Sequence, residues 1–153
     1  MRLPAIIIVG VAFAFGLILL ALGPLAYEKV GGMSSPDARI AAVREDYPEV
    51  CHVPPEVLRS LLESKAELLV IDLRSGDEFA TSHVPGAVSL PGADANPIHE
   101  RIERQAPSPT MVVCYDKTGR GSAEVASKLS GVVSVPVMNL AGGYDVWSRL
   151  AVR

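Results

Sequence analysis

The sequence predicts an α/β domain, a sheet of parallel strands joined by crossover helices, preceded by one N-terminal transmembrane helix. Three observations carry this prediction. The stretch from Leu3 to Tyr27, "LPAIIIVGVAFAFGLILLALGPLAY", contains no charged residue. From about residue 46 onward, short apolar runs alternate with helical patterns, as a parallel sheet with crossovers requires. Runs such as "LLVI" and "MVV" lack the polar alternation of a one-sided sheet and ask for cover on both faces.

Within the 153 residues there is room for one ordinary domain and an appendage, and 49% hydrophobic against 20% charged residues is greasy for a soluble chain. The excess lies in the first segment, which is long enough to cross a hydrocarbon core of ~30 Å as a helix of about 20 residues. A cleaved secretory signal would have an apolar region of only ~7–15 residues and a small-x-small cleavage site. The nearest such tripeptide, Ala21-Leu22-Gly23, is followed by Pro24, a poor residue for cleavage. Residues 1–27 are therefore read as an uncleaved, single-pass anchor whose partner is the lipid bilayer, through residues 3–27. Lys29, Arg39 and Arg44 outnumber Arg2, which by the positive-inside rule favours a cytoplasmic domain. An N-terminus of two residues carrying Arg2 has the look of a signal anchor whose bulk is exported. The side stays open, with the balance slightly towards export.

Each following element has a local reason. Residues 28–45 form a tether, with Gly31-Gly32 and Ser34-Ser35-Pro36 as flexible and turn-forming residues, and a short helix over 37–45. Ser35 caps that helix, Pro36 opens it, and Ile40 and Val43 share a side. The domain proper is placed at 46–153. "PPEVLRSLLES" is a helix entered at Pro54-Pro55, with Val57, Leu58, Leu61 and Leu62 on one face. "ELLVID" is a strand ending at Asp72. Ser75 then caps a helix through "GDEFA", whose first turn holds Asp77 and Glu78. "VPGAVSL" turns at Pro85-Gly86 and gives a strand, and Asn96-Pro97 opens a helix through "IHERIER". "TMVVCY", "SAEVASKLS", "VPVMNL" and "YDVWSRL" follow as strand, helix, strand and helix.

Composition narrows the chemistry. A formal net charge of -3 offers no basic patch, so nucleic acid is not an expected partner. His52, His83 and His99 have no ligand partners at metal spacing apart from the adjacent Cys51-His52 pair, so neither a metal nor another cofactor is expected. Cys51 and Cys114 are the only cysteines, and their pairing in an oxidising compartment is open.

Three motifs in order then resemble a rhodanese-like domain over about residues 46–150: "VIDLRSGDEFATSHVPGAVSLP" (70–91), "VVCYDKTGRGSAEVA" (112–126) and "NLAGGYDVW" (139–147). The resemblance implies a five-stranded parallel sheet with helices on both faces. It also implies that the loop after the fourth strand decides the chemistry. Active members carry there a cysteine that accepts sulfur as a persulfide, in a nest of backbone N–H groups at a helix N-terminus.

Two registers compete for that position. Active members have serine and alanine at the sixth and seventh positions after the cysteine. Counting back from Ser122-Ala123 puts Asp116 in its place, after Tyr115, with the loop Asp116, Lys117, Thr118, Gly119, Arg120, Gly121 and Ser122 ungapped. The loop's usual last arginine is then Gly121, and Arg120 stands one place early. The other register keeps Cys114 as nucleophile in a longer loop. "CYDKTGR" then resembles the cysteine-x5-arginine of related cell-cycle phosphatases and arsenate reductases, with Arg120 binding the oxyanion.

The favoured register is Asp116, a carboxylate that mimics the thiolate's charge but cannot carry sulfane sulfur. Cys114 is then a small hydrophobe in its strand, on the same face as Val112. Asp72, Arg74, Glu78 and His83 are expected to knit the loops at the strand ends. Lys117 and Arg120 are expected to give the loop a positive rim suited to a small sulfur-containing anion. The expectation is a membrane-anchored, non-catalytic binding or regulatory module with a protein partner. The alternative is a thiosulfate-type sulfurtransferase using Cys114, with a phosphatase or arsenate reductase behind it.

Overall fold

The computed structural model describes residues 35–92 and 94–151. The expected transmembrane anchor at 1–27 lies outside the described residues. Among the described residues no helix is long and apolar enough to cross a membrane.

The elements run α1 (Pro36–Asp46), β1 (Cys51–Val53), α2 (Pro55–Glu63), β2 (Leu68–Asp72), α3 (Gly76–Thr81), β3 (Val88–Ser89), α4 (Ala95–Glu103), β4 (Met111–Tyr115), α5 (Arg120–Leu129), β5 (Val137–Leu140) and α6 (Gly143–Ala151). The strands form one parallel sheet in the order β1-β5-β4-β2-β3. Because strand residues alternate faces, β2 and β4 feed two cores at once. Val70, Val113 and Tyr115 join Val53, Leu58, Leu140 and Trp147 on one face, under α2 and α6. Leu69, Ile71, Val112 and Cys114 join Ile98, Ile102, Val125 and Leu129 on the other, under α4 and α5. Continuous apolar runs are thus explained by cover on both sides.

The caps act as local chemistry dictates. Ser35 accepts from the Ala38 N–H at the head of α1. At α3 the Ser75 side chain accepts from the Glu78 N–H while the Glu78 carboxylate reaches back to the Ser75 N–H, a reciprocal box that satisfies both donors. Three details differ from expectation, the first being β1, an edge strand of three residues that no apolar run marks. On α2 only Leu58 of the four-residue stripe is buried, and Val57 is 45% exposed, since a 100° step carries it off the face that Leu58 and Leu62 present to the core. Helix α4 starts at Ala95, with Asp94 as its cap, so Asn96-Pro97 lies inside the first turn.

Helix α1 is held on the domain by more than its chain connection. Val43 is buried, Arg39 lies 3.8 Å from Asp145 of α6, and Asp46 lies 2.7 Å from Arg120 of α5. The cysteines do not pair: both are free, Cys51 exposed and Cys114 buried. They sit on β1 and β4 with β5 between, two strand spacings of about 4.8 Å apart, beyond the ~7 Å reach of a disulfide.

Candidate functional site

Strand β4 ends at Tyr115, and the chain then turns through residues 116–119 into α5 at the C-terminal edge of the sheet. Asp116 folds its carboxylate back into this turn. Its Oδ1 accepts from the N–H groups of Thr118 (3.1 Å) and Gly119, and its Oδ2 from that of Gly121 (3.0 Å). Gly119 and Gly121 are orphan donors at the start of α5, where the dipole also favours an anion, and Thr118 lies one residue ahead of the cap. Charge-assisted bonds of this kind are about twice as strong as neutral ones.

The turn has its shape because glycine allows it. Gly119 caps α5 with φ +89, a left-handed conformation, and a Cβ there would lie 2.9 Å from the Leu140 carbonyl oxygen. A second glycine, Gly143 with φ +60, lets α6 press on the loop. The Tyr144 N–H donates to the Asp116 carbonyl (2.9 Å) and the Asp145 N–H to the Lys117 carbonyl (3.0 Å), so the start of α6 is laced to the loop. Gly121 is tied to the carboxylate sterically as well: a Cβ there would lie 3.0 Å from Asp116 Oδ2.

Cys114 stands apart from this cradle. It lies inside β4 with no exposed surface, paired in register with Ile71 and Asn139, and packed in the apolar cluster under α4 and α5. Burial pushes its thiol up to about 12. Native-state alkylation with iodoacetamide is therefore expected to label exposed Cys51 and spare Cys114. Against a free thiol near 8.5, the thiolate of Cys114 at neutral pH is roughly three orders of magnitude scarcer. Peptide mass spectrometry of the time course checks this; equal labelling would place Cys114 in contact with solvent.

The four residues expected to knit the loops hold different places. Asp72 is fully buried at the end of β2. Arg74 grips it through Nε, 3.1 Å from both carboxylate oxygens, and through Nη2, 2.6 Å from Oδ2. Tyr115 donates its hydroxyl to Asp72 Oδ2 (2.6 Å) and accepts from the Val84 N–H (3.1 Å). Burial, and then the bond to Asp72, push that phenol up. Arg74 also donates to the Ser82 carbonyl (2.7 Å), and its guanidinium lies 3.7 Å from the Tyr144 ring centre. Glu78 caps α3. His83 is exposed, with Nδ1 at 2.9 Å from the Phe79 carbonyl and its ring stacked on Phe79, so neither reaches the cradle.

The two cations expected at the rim of the loop, Lys117 and Arg120, are both exposed. Arg120 is engaged by Asp46. The cleft beside the loop, about 430 Å³, is lined by Leu73, Gly92, Val125, Gly121 and three acids: Asp94, Asp116 and Glu124. Lys128, within 3.3 Å of Asp94 and 3.1 Å of Glu124, offsets part of that charge. Among the described residues no cluster of His, Cys, Asp or Glu could hold a metal ion.

Reasoning from sequence did not single out Tyr144, Asn139 or Gly143 as parts of this site. Asn139 left a signal, an amide in an otherwise apolar strand, which has to find buried partners.

The rhodanese-like domain model matches residues 54–150. The chain is 31% identical over 99 residues to the thiosulfate sulfurtransferase GlpE of Pseudomonas putida, an alignment covering 65% of this chain and 86% of that one. Among solved structures, a possible tyrosine phosphatase from Rhodopseudomonas palustris superposes with a TM-score of 0.56 at 18% identity, covering 79% of this chain and 94% of the other. A rhodanese-like domain protein from Staphylococcus aureus superposes with a TM-score of 0.52 at 19% identity, covering 64% and 91%. At these identities the structures speak to the fold alone.

Proposed function

This chain belongs to the rhodanese-like domain family, and on that premise we propose that it is a member whose sulfur-carrying cysteine is replaced by Asp116, acting as a membrane-anchored, non-catalytic binding or regulatory module. The observation that carries this reading is the Asp116 carboxylate itself, which engages three N–H groups of the loop that would otherwise face a persulfide. A carboxylate there keeps the loop's shape and its negative charge but has no sulfur to accept or pass on. The uncharged segment from Leu3 to Tyr27 supplies the anchor in this reading, with export of the domain slightly favoured. The acidic lining of the neighbouring cleft supports binding over sulfur transfer, because like charges repel small anionic donors such as thiosulfate.

The second reading, a sulfurtransferase working through Cys114, is favoured by the identity with thiosulfate sulfurtransferases. It requires a thiol that is fully buried to reach the loop.

Intact-protein mass spectrometry of the full-length chain, incubated with thiosulfate and then cyanide, separates the two. The expected result is no cyanide-sensitive sulfur adduct on the wild type, Cys51→Ser or Cys114→Ser. A single adduct removed by cyanide and absent only from Cys114→Ser would overturn the proposal in favour of the enzyme.

A further inference from the structure

We infer that His52 is the proton-sensitive end of a hydrogen-bonded chain that reaches the Asp116 loop through Asn139 and Ser122, so that protonating the imidazole changes how the loop is held. This rests on Asp116 being the anion resident in that loop.

His52 is half-buried on the edge strand β1, in register with Asn139 of β5. Its Nε2 lies 3.1 Å from the Tyr47 carbonyl oxygen. A carbonyl only accepts, so Nε2 carries the hydrogen, and Nδ1 of the neutral ring is left as an acceptor. Asn139 Nδ2, at 3.0 Å, fills that role as donor. The amide is thereby oriented, with Oδ1 towards Ser122 Oγ at 2.6 Å. Ser122 has one hydroxyl hydrogen and two acceptors, Asn139 Oδ1 and, at 3.3 Å, Asp116 Oδ1. While the short bond to Asn139 holds that hydrogen, Asp116 receives none from Ser122.

A proton taken from solvent onto His52 Nδ1 reverses the chain. Two donors, Nδ1–H and Nδ2–H, would then face each other, so the Asn139 amide turns over and offers Oδ1 to the imidazolium. Its Nδ2 now donates to Ser122 Oγ, and the Ser122 hydrogen swings to Asp116 Oδ1. No bond between heavy atoms changes, and one proton enters at one end. The loop gains a fourth donor to its carboxylate. Asn139 and Ser122 have no exposed surface, so water does not compete for these bonds.

The charges around His52 are few. Glu49, in the turn ahead of β1, acts on the ring and is kept ionised first by the Ser127 hydroxyl of α5. Asp46 at the end of α1 is occupied by Arg120 of α5, and β5 presents only the neutral Asn139. The remaining negative charge is Asp116, at the far end of the chain.

The test is NMR of the full-length chain in detergent micelles over roughly pH 5 to 8, the range in which imidazoles change charge. The His52 ring signal reports protonation, and the Thr118, Gly119 and Gly121 amides report the loop. In the wild type the Gly119 and Gly121 amides are expected to shift with the midpoint of the His52 ring. In Ser122→Ala the ring still titrates and the amides lose that inflection; Asn139→Leu gives the same loss should Ser122→Ala prove unfolded. Amides that stay flat in the wild type, or that still follow His52 in a folded chain-breaking variant, overturn the inference. Thiosulfate loading of the same samples, read by mass, fails separately: a sulfur adduct removes the Asp116 reading, whereas flat amides on a clean mass remove only the chain.

Discussion

Arg74→Ala is expected to destabilise the domain by about 3–5 kcal/mol, the cost of removing one partner from a buried ion pair. The guanidinium supplies every charged contact that Asp72 has, and Asp72 has no exposed surface. Without it the carboxylate keeps only the Tyr115 hydroxyl and the backbone N–H of residue 74. The Ser82 carbonyl loses its donor and the Tyr144 ring its cation. Arg74→Lys is expected to recover only part of the loss, since an ammonium cannot hold both carboxylate oxygens, the Ser82 carbonyl and a ring face together.

Urea unfolding of wild type and variant measures the loss. A loss under about 1 kcal/mol, typical of exposed pairs, would mean that Asp72 finds solvent or another partner.

Gly143→Ala is expected to be comparably damaging, by roughly 2–5 kcal/mol, through two separable costs. The residue has φ +60, where a side chain costs about 1–2 kcal/mol. The new Cβ would lie 2.6 Å from both the Asp116 carbonyl oxygen and the Gly119 nitrogen, backbone atoms that cannot step aside, and overpacking of this kind costs typically 1–3 kcal/mol more. Two control glycines divide the costs. Gly86, at φ +77 with nothing within 4 Å of an added Cβ, carries the conformational cost alone; Gly76, with an ordinary φ and equally open space, carries neither. The expected order of urea midpoints is therefore Gly76→Ala at or slightly above wild type, then Gly86→Ala, then Gly143→Ala. A Gly143→Ala midpoint equal to that of Gly86→Ala would show that α6 can back away from the loop.

These two sites differ in how far they can be read from the chain. Asp72 and Arg74 are two residues apart and stand out as a charged pair at the end of an apolar strand. Their third partner, Tyr115, is 43 residues away, and nothing local says that its hydroxyl crosses from β4 to β2. The glycines of 139–147 read as a motif, but the purpose of Gly143 is a backbone contact with residues 116–119 that no spacing rule reveals. His52 is unremarkable in the sequence because its partner Asn139 lies 87 residues on, in the neighbouring strand.

The sequence by itself determined the order and type of the elements from α2 onward, whereas the three-residue edge strand β1 shows only in the fold, where β5 pairs with it. Caps such as Ser35 and Ser75, prolines at helix starts and continuous apolar runs act within a few residues of themselves, and sheet cover follows from the absence of polar alternation. Only the tertiary structure decided what fills the loop after β4. Cys114 and Asp116 are two residues apart in the same stretch of chain. Strand alternation together with the packing of α4 and α5 buries the first, whereas the turn at Gly119 and the helix start beyond it aim three N–H groups at the second. That choice depends on the path of the backbone in space, because the direction in which an N–H points is set by φ and ψ and by the helix that follows.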